Sequence, residues 1–323
     1  LESQTGRRCV LIAESDNNDP RMTRPRAEHG LGMTAQWNEE FHRSLHTALT
    51  PERAGWYADY HGLEDLLCVL RHGFAHRGRY STFRKRRHGR ALSEVPHRRC
   101  VAYLQTHDLV GNRPAGERLG QLVEPRAARL AAALLLLGPW VPMLFQGEEW
   151  NASSPFLYFT DHGDPGLGRA VLAGRKRDFA GFGWTDTRTP DPQSESTYLR
   201  SRLQWSELDD AAHAAFLSSY RRLIELRRSW AELTAPARAE LDGNCLQLWR
   251  EQSIAFFNFS SEVYARSLFE LDEPGELGPL EIVLASNVEG EANSGGHAVG
   301  TVIESGEIRL GPFAFLLVRR SRP

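Results

Sequence analysis

Apolar positions along the chain follow two regimes. Up to about residue 235, short unbroken apolar runs alternate with longer stretches in which apolar residues recur every three or four positions. The short runs are Cys9-Val-Leu-Ile-Ala13, Cys100-Val-Ala-Tyr-Leu-Gln105 and Val141-Pro-Met-Leu-Phe145. They read as strands buried on both faces, as in a parallel sheet. The longer stretches predict helices over Glu39–Leu49, Leu63–His76, Pro125–Leu137 and Ala211–Leu233. Pro125 near the start and Gly138 past the end mark the third of these. Asn17-Asn-Asp-Pro20 breaks the first run as a loop. After Ala235, short alternating segments take over at Gln247–Arg250, Ile254–Asn258, Glu281–Ala285 and Phe313–Val318. Turns separate them, Asn293-Ser-Gly-Gly296 among them. The pattern predicts an α/β part over 1–235 and a small all-β, sandwich-like domain over 236–323.

In the first part, polar residues follow each predicted strand directly. That is the edge where a (β/α)8 barrel gathers its active site. Three strands with their helices do not close a barrel, so the expectation is its C-terminal portion, with about half lying upstream. Two constellations at strand ends carry chemistry: Glu14-Ser-Asp16 and His107-Asp108. A glycosidase needs two carboxyl groups flanking the scissile bond, one to protonate the leaving oxygen and one to attack or activate water. Partial burial at a strand end would raise the pKa of the acid. Each carboxylate alone reads more readily as a helix cap or a salt-bridge partner. On successive parallel strands they become a candidate pair.

Seven segments carry a resemblance. They are Glu14-Ser-Asp-Asn-Asn-Asp-Pro-Arg21, Ala35-Gln-Trp-Asn-Glu-Glu-Phe-His42, Tyr57-Ala-Asp59, Tyr80-Ser-Thr-Phe-Arg84, His107-Asp-Leu-Val-Gly-Asn-Arg113, Leu144-Phe-Gln-Gly-Glu-Glu149 and Pro155-Phe-Leu-Tyr-Phe-Thr-Asp-His162. In this order they resemble the maltooligosyl trehalose trehalohydrolase family of the α-amylase superfamily, over nearly two-thirds of the chain. The resemblance implies strands five to eight of a (β/α)8 barrel and a retaining glycoside hydrolase. Its reaction would cleave the α-1,4 bond next to the terminal trehalose unit of maltooligosyl trehalose. Glu14 matches the family's general acid/base, Asp108 its transition-state-stabilising carboxylate, and His107 its sugar-hydroxyl binder. The resemblance also implies substrate contacts at Glu40, Phe41, His42, Arg43 and Ser44, and at His107, Leu109, Val110, Gly111 and Asn112, with Trp37 and Arg113 nearby. Trp37 reads equally as a platform for a glucose ring or as a half-buried rim aromatic. No cofactor or metal is implied. The partners implied are an α-1,4-glucan oligosaccharide and, in the same pathway, maltooligosyl trehalose synthase.

The sequence departs from the family in one main respect. The family's attacking Asp lies in a segment resembling Phe-Arg-Leu-Asp-Ala, and nothing before Glu14 matches it. By the family route a covalent glycosyl-enzyme needs that group. The expectation is therefore that this chain alone is inactive. Thr106 stands where the superfamily usually has Asn, Leu109 where the family usually has Gln, and Arg43 where a second His is common. Two rivals remain: another α-amylase-superfamily enzyme, of the branching or debranching kind, and an inactive remnant that binds α-glucan.

Composition narrows the field further. A formal net charge of -2 gives no general field for nucleic acid or an anionic membrane. The basic cluster Arg84-Lys-Arg-Arg-His88 then reads as a solvated surface loop. Four scattered cysteines without a CxxC pair fit a reduced, cytoplasmic protein. The apolar run Leu130–Leu137 is too short to span a bilayer. His42 and His46 have zinc-compatible i, i+4 spacing, but no Glu follows the first His as in metalloproteases. An ordinary helix face with one sugar contact is the expectation there. Asp16-Asn-Asn-Asp19 lacks the glycine and distal Glu of a calcium loop.

Overall fold

The computed structural model describes residues 6–7, 9–90, 96–184, 189–267, 279–286, 299–303 and 307–320. In chain order the first part comprises β1 (Ile12–Ala13), β2 (Ala35–Trp37), α1 (Glu39–Leu49), α2 (Leu63–His72), the hairpin β3 (Tyr80–Ser81) and β4 (Arg86–Arg87), β5 (Cys100–Tyr103), α3 (His107–Gly111), α4 (Leu119–Leu122), α5 (Pro125–Leu137), β6 (Val141–Met143), α6 (Pro165–Gly181), α7 (Glu195–Arg200) and α8 (Ala211–Ser229). The strands β1, β2, β5 and β6 pair side by side in that order, all parallel. Ile12 lies opposite Ala35, Gln36 opposite Cys100, and Val101 opposite Val141.

This sheet has four strands where the apolar pattern shows three. The extra one, β2, is three residues long and carries Gln36 at its centre, so it gives no apolar run. The buried strand expected over Cys9–Ala13 is corrected: only Ile12 and Ala13 pair, and Val10, Leu11 and Ile12 are 62%, 52% and 49% exposed. Position explains this. As the outer strand, β1 has a neighbour on one side only.

Helices α1 and α5 fall where the pattern puts them. Asn38 starts α1 by accepting the Phe41 N–H at 3.2 Å. The apolar residues of α5 run round the whole helix, and it is buried accordingly. Trp140, fully buried, packs on Phe41 with ring centroids 4.3 Å apart and donates its indole N–H to Leu135 at 2.8 Å. A side chain at Gly138 would meet the Trp140 ring at 2.3 Å, so this helix end accepts only glycine. Helix α2 stops at His72 rather than His76. Gly73 takes a positive φ of 83° there and its N–H closes on Val69 at 2.7 Å, the usual glycine stop. Helix α8 ends at Ser229, and a separate 3-10 turn covers Ala231–Thr234.

From Arg238 the chain forms β7 (Arg238–Asp242), β8 (Cys245–Trp249), β9 (Ser253–Asn258), β10 (Tyr264–Ser267), β11 (Leu280–Ala285), β12 (Val302–Ile303), β13 (Glu307–Leu310) and β14 (Phe315–Arg320). Six of them make an antiparallel sheet in the order β12, β11, β14, β9, β8, β7, and β10 pairs with β13. Strand alternation decides which face goes where. Leu246, Leu248, Phe257 and Leu317 join the helices α5 and α8 in one continuous core. Trp249, Phe256, Leu316 and Val318 face Ile308 and Leu310 of the β13 ribbon. The turn expected at Asn293–Gly296 lies outside the described residues. Arg250 reaches from the sheet to the helix layer, donating to Leu137 at 2.6 Å. Arg227 donates to Leu136 and Gly138 at 2.7 and 2.8 Å. Both satisfy carbonyls at the end of α5 that have no intrahelical partner. Among the described residues, no helix is long and apolar enough to cross a membrane.

Candidate active site

Thr106 sets the geometry of the site. Its hydroxyl accepts the Leu109 N–H at 3.1 Å and begins α3 immediately after β5. Threonine and asparagine are both good helix caps, so the Thr106 side chain suffices here. His107 and Asp108 therefore occupy the first turn of α3, at the C-terminal edge of the sheet. Glu14 follows β1 at the same edge. One polar atom from each of Glu14, His107 and Asp108 lies within 4.8 Å of the others. His107 Nε2 and Asp108 Oδ1 are 3.6 Å apart, and all three side chains are exposed. The partial burial expected for Glu14 is thus not found, because β1 is the uncovered edge strand. Trp37 ends β2 half-buried beside the trio, its ring edge-on to His107 at 6.4 Å and to Tyr103 at 5.2 Å. The chemistry gathered here is two carboxylates, an imidazole and an aromatic wall, open to a ligand.

Glu39, which the sequence reading passed over, also belongs to this rim. It opens α1 and pairs with Arg43. Burial pushes its pKa up, Arg43 opposes that, and Asp16 and Asp108 push it further up. The signal was present: the first helical residue after a strand lies at the rim, and the second turns inward.

The turn of α1 carries all five residues expected as contacts over 40–44 into buried positions. Phe41 and Ser44 are fully buried. Burial opposes ionisation of Glu40, yet hydrogen bonds from His76 and Tyr60 outweigh it and bring its pKa down to about 2. His42 donates from Nδ1 to Leu104 at 2.7 Å and accepts the Tyr57 hydroxyl at Nε2 at 2.9 Å. Burial holds its pKa well below normal, so the neutral ring with both nitrogens engaged is the stable form. It has no free nitrogen for a sugar. His46 is bonded to Glu52 at 2.7 Å. Arg43 is buried with Glu39 as its partner.

On α3, Leu109 and Val110 are buried and support the helix from below. Gly111 and Asn112 accept hydrogen bonds from Arg175 at 2.6 and 3.0 Å. Arg113 is buried and holds Glu52 through two hydrogen bonds at 2.9 and 2.7 Å. Of the expected site residues, the structure brings together Glu14, Trp37, His107 and Asp108; it turns Glu40–Ser44, Leu109, Val110 and Arg113 to supporting positions. Asp16 pairs with Arg84, which accounts for part of the basic cluster as rim structure.

The chain has relatives of known structure and of known sequence. The chain is 28% identical to a crystal structure from Salmonella typhimurium provisionally described as an α-amylase, with a TM-score of 0.79 over 98% of this chain and 52% of that one. With that neighbour, the parallel sheet followed by an antiparallel sheet is the fold of an α-amylase-superfamily protein, here as part of a (β/α)8 barrel. The chain is 42% identical over 312 residues to malto-oligosyltrehalose trehalohydrolase of Arthrobacter ramosus, covering 96% of this chain and 50% of that protein. The enzyme of the same name from Mycobacterium tuberculosis is 48% identical over 239 residues, 73% of this chain and 41% of its own length. No family model matches. The chain belongs to the malto-oligosyltrehalose trehalohydrolase family and spans about half the length of the curated relatives it matches.

Proposed function

We propose that this chain supplies the acid/base half of a retaining glycoside hydrolase acting on maltooligosyl trehalose. The observation that carries the reading is the close approach of Glu14, after β1, and His107 and Asp108, after β5, across the end of the intervening strand β2. Glu14 protonates the oxygen that leaves as the α-1,4 bond next to trehalose breaks, and later takes a proton from water. Asp108 faces the positive charge that develops on the sugar ring. His107 binds a hydroxyl and Trp37 offers a ring face to a glucosyl unit. The attacking carboxylate belongs to the Phe-Arg-Leu-Asp-Ala-like segment, which this sequence does not contain. The substrate class comes from the names of the relatives, and an enzyme that installs the terminal trehalose linkage would have to supply it. Four free cysteines, two of them fully buried, suit a reducing compartment such as the cytoplasm.

The test is trehalose release from maltotriosyl trehalose by a form extended upstream to the length of the relatives. The Glu14→Gln variant is expected to lose at least about a hundredfold in rate. Release of maltose, or formation of new branches, in place of trehalose would move the chain to another α-amylase-superfamily activity.

A further inference from the structure

The C-terminal end of α3 leads to a second cleft of about 630 Å³, within the usual size range of small-ligand sites. It is walled by the loop around Trp56, the tip of the β3–β4 hairpin and helix α6. Four aromatic residues line it, Trp56, Phe83, Phe179 and Phe182: Trp56 and Phe182 have centroids 4.6 Å apart, and Phe83 and Phe182 6.3 Å. Phe83 is 42% exposed. It stands out because Asp59 anchors the hairpin tip, accepting the Thr82 and Phe83 N–H groups at 2.9 and 3.2 Å. The ring is therefore presented on a fixed backbone. Beside the rings, Lys85 and Arg177 line the cleft and make no hydrogen bond or ion pair among the described residues. The acidic Asp178 lines it as well. Flat apolar faces next to uncommitted donors and an acceptor suit pyranose rings, which stack by their C–H faces and present hydroxyls at their edges. The mixed charge argues against a polyanion.

Helix α3 ties this cleft to the acidic trio. Its first turn carries His107 and Asp108, and Asn112 past its last turn lines the cleft. Five residues of helix separate the two ends by about 7.5 Å. Arg175 fixes the far end, bonded to Gly111 and Asn112 and lying 4.3 Å from the centroid of the Tyr158 ring. We infer that the cleft is a remote carbohydrate subsite, holding glucosyl units of the same α-1,4-glucan chain whose scissile bond lies at Glu14 and Asp108. This rests on the function proposed above.

The experiment titrates the form extended upstream to the length of the relatives, carrying Glu14→Gln to prevent turnover, with maltohexaose, with maltose as the short ligand and cellohexaose as the β-linked control, reading saturation-transfer NMR and calorimetry. Phe83→Ala and Arg177→Ala remove exposed groups, and equal thermal melts show that the fold persists. Each is expected to weaken maltohexaose binding by about tenfold while leaving maltose unchanged. Unchanged maltohexaose affinity in both variants, with a loss in Trp37→Ala, would overturn the remote subsite and leave the active-site reading standing. Equal binding of cellohexaose would overturn the α-glucan assignment of the cleft. No binding of maltohexaose by that extended form without Phe83→Ala or Arg177→Ala would remove both readings.

Discussion

Single residues decide what the site can do. Glu14 and Asp108 are legible in the sequence because each stands directly after a run of apolar residues, and a strand end needs no side-chain knowledge to place. The burial of Glu40 to Ser44 could not be read from the sequence, because a matching segment says nothing about which helix face reaches the rim. With 3.6 residues per turn, Phe41, Ser44 and Leu45 must face the core if Glu39 faces out. Glu39 itself stayed hidden beside an identical neighbour. In the extended form, Asp108→Asn is predicted to lower kcat by about 10² to 10³ with a smaller effect on KM, as expected for a group acting on charge in the transition state. Steady-state kinetics on maltotriosyl trehalose checks this. Phe41→Ala should instead act on stability, by about 3 to 5 kcal/mol in a urea titration.

Elements behave according to how much of their signal is local. Helices α1 and α5 could be placed to the residue, since one begins at an Asn cap and the other lies between Pro125 and Gly138. Strand β2 could not, because three residues with a central Gln leave no periodicity; its place comes from pairing with β1 and β5. The turn after β6 holds a buried acid that is best tested by pH. Burial pushes the Glu148 pKa up to about 8, against hydrogen bonds donated by Tyr220, the Phe145 N–H and Gln105. The unfolded chain releases this proton near the ordinary Glu pKa of about 4.3, the folded one only near 8. Between those values the folded state binds more protons, so stability falls as pH rises, by up to about 1.4 kcal/mol per pH unit. Glu148→Gln should flatten that slope between pH 5 and 8. An unchanged slope in the variant would show that Glu148 does not carry it.

At the scale of the molecule, the helices and the antiparallel sheet share one core, with Leu246, Phe257 and Leu317 packed among residues of α5 and α8. The small β part could be anticipated from the change of pattern after Ala235; its joint core could not, since nothing local tells which face of a strand meets a helix. The parallel sheet has the opposite character, with Val10, Leu11 and Ile12 exposed along its β1 edge. An exposed apolar edge strand templates association. This chain expressed alone is therefore predicted to self-associate, and Leu11→Lys to raise its monomer fraction in size-exclusion chromatography. A single monomeric species with a sharp cooperative melt in the unaltered chain would contradict that.

The measurement that bears most directly on the account is trehalose release from maltotriosyl trehalose, comparing this chain with a form extended upstream to the length of its relatives. The account predicts release by the extended form alone, abolished by Glu14→Gln. Release by these 323 residues as they stand would contradict it, because an acid within them would then have to make the attack.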